Sequence, residues 1–230
     1  PTGVPFPSES PGTLRAPASW STQSAASLAM GYEVAVTPLQ LALAYAAFAN
    51  GGELVEPALV KQIVAPDGAI RFEHQRRVVR RVVSKQVAEK VRGILVGVVD
   101  EGTALKASID NYLLAGKTGT PRATVRGHYV LGRYNPNFVE TRFSRISKIT
   151  ADCRPAAPLV NRASQGLYPP GSTFKVVTAS AALESNRFSP DSEFVDPGYC
   201  IAYGKRVNNF DTERPFGRLD LATALKYSVN

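Results

Sequence analysis

The sequence predicts a mixed α/β (α+β) fold, and three observations carry that expectation. Two stretches combine helix start signals with helical apolar patterns, at residues 37–50 and 84–98. Between them, residues 53–83 read as extended runs broken by the turn former Pro66-Asp67-Gly68. A third helical pattern runs from Ser172 to Glu184, behind a rigid Tyr168-Pro169-Pro170-Gly171 turn.

Each element has a local reason. Pro5, Pro7, Pro11 and Pro17 make residues 1–20 an irregular surface segment. Thr37 is an N-cap, with Pro38 at the first helical position. Leu39, Leu41, Leu43, Ala46 and Phe48 make this helix apolar nearly all round, which predicts deep burial, and Gly51-Gly52 ends it. Ser84 caps the next helix, where Val87, Val91, Ile94, Leu95 and Val98 form one stripe. Leu113-Leu114-Ala115-Gly116 reads as a buried strand running into Lys117. Residues 121–133 show no period. Phe138, Val139, Phe143, Ile146 and Ile149 predict a helix over 137–152. In the third helix, Ala179, Ala181 and Ala182 permit close packing. Residues 186–196 read as loop, and Asp220 caps a short helix through Lys226, with Ser228 just past its end.

Composition narrows the function. The 230 residues are 44% hydrophobic and 20% charged, ordinary for one or two globular domains. No apolar run reaches the roughly 18 residues of a membrane span, and no basic-then-apolar leader opens the chain. A net charge of +8 suits nucleic acid, anionic lipid or an acidic polymer. The densest basic run, Arg76-Arg77-Val78-Val79-Arg80-Arg81-Val82-Val83, reads as a strand or hairpin with a solvated basic face. No nucleic-acid motif accompanies it, so no nucleic-acid partner is expected. His74 and His128 lack ligands at metal spacing, and Cys153 and Cys200 form no C-x-x-C, so no metal and no cofactor are expected.

Three short motifs carry chemistry. Ser172-Thr173-Phe174-Lys175 is an S-x-x-K at a helix start. Backbone N–H groups there favour negative charge on a serine oxygen, and Lys175 lies on the same helix face as Ser172. A lysine desolvated in that position can serve as base. Lys117-Thr118-Gly119-Thr120 is a K-T-G that offers a cation, two hydroxyls and a glycine allowing close approach. Ser228-Val229-Asn230 is an S-x-N whose two side chains can face one cleft. Taken singly, each has a plain alternative: a capping serine with a surface lysine, a strand-end turn, a helix C-terminal serine. Together they match the active-site set of penicillin-binding proteins and serine β-lactamases.

Wider stretches sharpen the resemblance. The run from Gly166 to Lys175 resembles the nucleophile segment of class B penicillin-binding proteins. Gly31-Tyr32, residues 36–42, residues 47–52, residues 98–104 and residues 115–120 are similar to segments around K-T-G in that family, in the manner of actinobacterial penicillin-binding protein A and division transpeptidases. The resemblance implies a serine β-lactamase or D,D-transpeptidase-like fold, a central antiparallel sheet flanked by helices. It also implies a peptidoglycan D,D-transpeptidase acting in wall synthesis. In that role Ser172 takes the acyl group of a D-Ala-D-Ala stem peptide, Lys175 is the base, and Ser228 relays a proton near Lys175 and Lys117. Asn230 orients the peptide, Thr118 and Thr120 bind its terminal carboxylate beside Gly119, and the N–H groups of Ser172 and Thr120 form the oxyanion hole. β-Lactams acylate the same serine. A D,D-carboxypeptidase or β-lactamase, or an inactive fragment or β-lactam sensor, is the alternative.

The family order is S-x-x-K, S-x-N, K-T-G, whereas here K-T-G comes first. Residues 1–121 match the later half of the domain, residues 134–230 the earlier half, and 122–133 form an unassigned junction. The strands and terminal helix that follow K-T-G in the family are expected to be absent or reduced to residues 121–133, and the family's membrane anchor and pedestal domain to be absent from this stretch. The location implied is the extracytoplasmic face of a bacterial membrane, among membrane-bound wall-synthesis partners. In that oxidising setting Cys153 and Cys200 are candidates for a disulfide, worth roughly 4 kcal/mol in the chain-entropy model, with two unpaired thiols as the alternative.

Overall fold

The computed structural model describes residues 2–4, 8–119, 124–125, 128–129, 161–209 and 215–230. In chain order the elements are β1 (Thr13–Leu14), α1 (Ser24–Ala29), β2 (Val34–Ala35), α2 (Pro38–Ala49), β3 (Glu53–Val55), β4 (Gln62–Val64), β5 (Ile70–Glu73), β6 (Val78–Arg81) and α3 (Lys85–Asp100). There follow β7 (Thr124–Val125), β8 (His128–Tyr129), α4 (Lys175–Glu184), β9 (Glu193–Asp196), β10 (Tyr199–Ala202), β11 (Lys205–Asn208), β12 (Gly217–Asp220) and α5 (Leu221–Lys226). The helix expected over 137–152 lies outside the described residues.

Helix starts follow their caps. At α2 the Gln40 N–H donates to Thr37 Oγ1 (3.1 Å), and the Thr37 N–H donates to Gln40 Oε1 (2.9 Å), a reciprocal box. Ser84 Oγ accepts from Val87 N–H at α3, and Asp220 Oδ1 accepts from Thr223 N–H at α5. Each such cap contributes about 1 kcal/mol. Gly51 and Gly52 follow α2 with φ of +65° and +90°, a backbone that glycine adopts without steric cost.

The core draws on both ends of the chain. The α3 stripe of Val87, Val91, Leu95, Val98 and Val99 packs with Phe48 of α2 and with Val176 and Leu183 of α4. Ile94 of α3 meets Ala179 of α4 and Leu225 of α5 in a smaller cluster. Thus α3, predicted as a one-sided helix, is the central post against which α4 and α5 lie.

Three expectations need correction. Helix α2 is only half-buried: Ala47 and Phe48 are its buried residues. Its outer face lines an apolar groove of about 440 Å³ with Leu54, Val79, Val82 and Val177, so its apolar character is spent on a surface groove as well as the core. The run Leu113–Gly116 is not a strand, and Leu113 is 79% exposed. Among the described residues its backbone is tied by a bond from the Gly116 N–H to the Leu95 carbonyl of α3 (3.2 Å), and Leu114 packs against the core. Residues 193–196, read as loop, form β9 by pairing with β12, a partner more than twenty residues on that local propensity does not reveal.

All strand pairs are antiparallel, in keeping with the α/β class expected. Among the described residues they form six two-stranded ribbons: β1–β2, β3–β6, β4–β5, β7–β8, β9–β12 and β10–β11. The β4–β5 turn is built by Pro66-Asp67-Gly68, where the Gly68 N–H donates to the Ala65 carbonyl. The basic run leads into exposed β6, and Arg76, just before the strand, and Arg81, at its end, both pair with Glu53 at 2.8 Å.

Candidate active site

The Pro169-Pro170-Gly171 turn feeds a 3₁₀ turn over Gly171–Phe174, and α4 begins at Lys175. Residues three apart eclipse one another in a 3₁₀ turn, so half-buried Ser172 and buried Lys175 share a face. Gly171 has φ +54° and donates its N–H to the Gly31 carbonyl (3.0 Å). Gly31 must be glycine for that approach: a Cβ on it would lie 2.7 Å from the Gly171 nitrogen. Tyr45 of α2 holds the turn from below, its hydroxyl donating to the Thr173 carbonyl (2.9 Å).

The S-x-N motif is the C-terminal cap of α5. The Ser228 N–H donates to the Leu225 carbonyl and the Val229 N–H to the Ala224 carbonyl, a Schellman arrangement. Glycine is usual at the left-handed position of that motif, yet Ser228 occupies it with φ +60°. Turning the chain there aims the end of α5 at α4. Lys175 Nζ donates to Asn230 Oδ1 (2.6 Å), the Ser228 carbonyl (2.7 Å) and the Val229 carbonyl (3.0 Å), with Ser228 Oγ at 3.4 Å.

K-T-G lies against the same turn. A Cβ on Gly119 would meet Thr173 Cγ2 at 2.5 Å, so the motif's glycine is in direct contact with the S-x-x-K segment. Thr118 Oγ1 is hydrogen-bonded to Thr103 Oγ1 (2.7 Å), and Lys117 Nζ donates to the Thr118 carbonyl (3.2 Å). Burial pulls the pKa of the Lys117 ammonium down to about 8. That of Lys175 is also brought down to about 8, by burial first and then by the positive charge of Lys117.

Ser172, Lys175, Ser228, Asn230, Lys117, Thr118 and Gly119 therefore converge although they span more than a hundred residues. Thr120 lies outside the described residues. Ser172, Ser228 and Asn230 open into a cleft of about 270 Å³, with Met30, Tyr32 and Asn208 on its walls. The arrangement offers a serine at a helix start, a lysine poised to titrate near neutral pH, a second hydroxyl beside that lysine, and an amide facing the same cleft. Cys200, on β10, is exposed, and its proposed partner Cys153 lies outside the described residues.

Sequence reasoning missed four supporting residues. Thr103 ties K-T-G to the end of α3, and Tyr45 supports the serine turn. Asp196 and Asn209, both buried, brace Asn230 from behind: the Asn230 N–H donates to Asn209 Oδ1 (2.9 Å), and Asn209 Nδ2 donates to Asp196 Oδ2 (2.7 Å). Their local signals, Asp196-Pro197-Gly198 and Asn208-Asn209, read as turns and say nothing of a site.

Known proteins resemble this chain in sequence. The family model described as the penicillin binding protein transpeptidase domain matches residues 1–139 and again residues 124–230. A probable peptidoglycan D,D-transpeptidase PenA of Neisseria flavescens is 34% identical over 135 residues, covering 58% of this chain and 31% of that protein. Penicillin-binding protein PbpB of Mycobacterium tuberculosis is 41% identical over 126 residues, covering 52% of this chain and 18% of that protein. The chain thus spans a third or less of these relatives' length. A solved structure of a Mycobacterium tuberculosis penicillin binding protein 3, complexed with aztreonam, aligns over 55% of this chain and 30% of that one, at 38% identity and a TM-score of 0.48.

Proposed function

The chain belongs to the penicillin-binding protein transpeptidase domain family, and from that premise we propose that it is the catalytic part of a class B peptidoglycan D,D-transpeptidase. The observation that carries the reading is the meeting of Lys175 with Ser228 and Asn230 while Gly119 abuts Thr173. S-x-x-K and S-x-N, distant in sequence, open into one cleft, and K-T-G, out of its usual order, abuts the S-x-x-K turn.

The chemistry assigns each group a step. Ser172 Oγ attacks the carbonyl of the penultimate D-alanine, and its proton passes to neutral Lys175. The bond to the terminal D-alanine breaks, and the proton returns through Ser228 to the leaving amine. An amine from a second stem peptide then attacks the Ser172 ester, closing the cross-link and restoring the serine hydroxyl. Lys117 and Thr118 hold the terminal carboxylate, with Thr120 beside them, and the N–H groups of Ser172 and Thr120 hold the oxyanion. A β-lactam opens on Ser172 in the same way, but its amine stays tethered and does not leave.

In this reading residues 1–121 and 134–230 are two halves of one catalytic unit. The core shared by α3, α4 and α5 supports that. The unit works at the extracytoplasmic face of a bacterial membrane beside membrane-bound wall-synthesis proteins. No helix among the described residues is long and apolar enough to cross a membrane.

The test is intact-mass spectrometry after incubation with a fluorescent penicillin. The expected result is one stable adduct, absent from Ser172→Ala. No adduct on folded protein overturns the reading, and an adduct that hydrolyses within minutes assigns the chain to the hydrolases instead.

A further inference from the structure

Behind the S-x-N turn lies a buried polar network that no step above uses. Asp196 is 6% exposed and Asn209 4% exposed, so each must find its hydrogen bonds inside the protein. Asp196 Oδ1 accepts from the Gly198 N–H (2.9 Å), and Asp196 Oδ2 accepts from the Phe216 N–H (3.0 Å) and from Asn209 Nδ2 (2.7 Å). A carboxylate can only accept, so it fixes which way the Asn209 amide faces. With Nδ2 turned to Asp196, Asn209 Oδ1 is left for the Asn230 N–H (2.9 Å). The Asn208 carbonyl takes Asn230 Nδ2 (2.6 Å), which in turn leaves Asn230 Oδ1 facing Lys175 Nζ (2.6 Å). Asp196 thus sets the orientation of the Asn209 amide, which grips the Asn230 backbone, while the Asn208 carbonyl sets the orientation of the Asn230 amide.

We propose that Asp196 and Asn209 are positioning residues, a buried brace on the Asn230 backbone that holds Asn230 against Lys175 and so sets where the lysine nitrogen sits on the helix face it shares with Ser172. The proposal rests on the reading of Ser172 as the acylated serine, but its first readout does not. It reaches across the fold: Asp196 ends β9, Asn209 follows β11, and Asn230 lies beyond α5, so the network welds both small ribbons to the catalytic turn.

The experiment compares Asn209→Ala with the exchange Asp196→Asn plus Asn209→Asp in the full chain, using two readouts. The first is the titration of Lys175 followed by NMR on lysine-labelled protein. Lys117 and Cys200, the titratable neighbours that act on Lys175, are the same in every sample. The bond from Asn230 favours the ammonium, so losing it in Asn209→Ala lowers the Lys175 midpoint below its value of about 8. The second is the acylation rate with a fluorescent penicillin on its high-pH plateau, where a larger share of neutral lysine adds nothing, expected to fall about tenfold or more because the lysine is misplaced. In the exchange, the amide now at position 196 donates to the carboxylate now at position 209, while the Phe216 N–H loses its acceptor, which costs stability. The other oxygen of that carboxylate accepts from the Asn230 N–H, so the Lys175 midpoint is no longer lowered and most of the rate returns. Val87→Ala, a core change at the start of α3 beside Glu184, lowers stability without moving the midpoint. Folded Asn209→Ala with an unchanged Lys175 midpoint overturns the proposal, as does a folded exchange variant whose midpoint stays shifted. If Asn209→Ala does not fold, the exchange variant alone decides on the same criterion. If wild-type protein takes no penicillin, the nucleophile reading fails, while the Lys175 titration still judges the network.

Discussion

Lys175 is held as an ammonium by oxygens yet pulled toward the neutral amine by burial and by Lys117. An ammonium has three N–H donors, and they go to Asn230 Oδ1, the Ser228 carbonyl and the Val229 carbonyl. When the proton leaves, a lone pair appears that needs a donor. Carbonyl oxygens cannot supply one, and Asn230 Nδ2 is engaged by the Asn208 carbonyl. Ser228 Oγ, 3.4 Å away, is the partner among these that can reverse and donate. With a midpoint of about 8, roughly one molecule in ten carries the neutral amine at pH 7, so acylation is expected to rise through pH 8 and then level off. Ser228→Ala removes the donor that favours the neutral form, so the profile should move to higher pH with a lower plateau, measured by penicillin labelling across pH. Stability follows the same proton. The folded midpoint lies below the ordinary lysine value of 10.5, so the unfolded chain holds more protons between about pH 8 and 10.5, and stability rises with pH across that window. Ser228 also stores strain at φ +60°. Ser228→Gly is therefore expected to gain about 0.5–1 kcal/mol in denaturant unfolding while losing acylation.

At the scale of elements, what the sequence made legible was what is decided locally. Thr37, Ser84 and Asp220 could be recognised as caps because a cap needs only its own next three residues. The α3 stripe could be read because one face of one helix repeats. Burial of α2 could not, because it depends on what covers its outer face. Nor could the run at Leu113, since a strand exists only through partners elsewhere in the chain. The motif residues were legible as chemical types, whereas Asp196 and Asn209 matter only through a neighbour brought by the fold. Contacts between elements give a sharp test at Gly119. Thr173 Oγ1 is bonded to the Pro170 carbonyl (2.6 Å), which locks its rotamer and leaves its methyl where a Cβ on Gly119 would go. Gly119→Ala should push K-T-G off the serine turn and cut acylation about tenfold or more, with little change in melting because Gly119 is exposed. Gly102 differs. A Cβ there would lie 2.7 Å from the Lys226 carbonyl at the end of α5 and 2.9 Å from Val98 Cα, so Gly102→Ala should cost about 1–3 kcal/mol of stability as well.

For the molecule as a whole, the shared core makes one prediction. Leu183 of α4 is buried against residues of α2 and α3, so Leu183→Ala should destabilise by about 2–5 kcal/mol. Thermal unfolding followed at Trp20, near the start of the chain, and at amides of α5 should move together. Two separate transitions would mean that the stretches fold independently. The cap of α3 carries a further consequence. Besides Ser84's own hydroxyl, the start of α3 depends on Glu184, whose Oε2 accepts both the Ser84 N–H and its Oγ–H at 3.0 Å from a hundred residues further along. The face of α3 is completed by α4 and α5 from that same distant stretch. On a ribosome, α3 therefore emerges with only α2 against its apolar stripe, and the rest of that stripe waits for α4 and α5 before it can be buried. Folding should be slow, governed by closing that long loop, and newly made chains should be at their most aggregation-prone, and most dependent on a holdase, in the interval between the synthesis of α3 and that of α4.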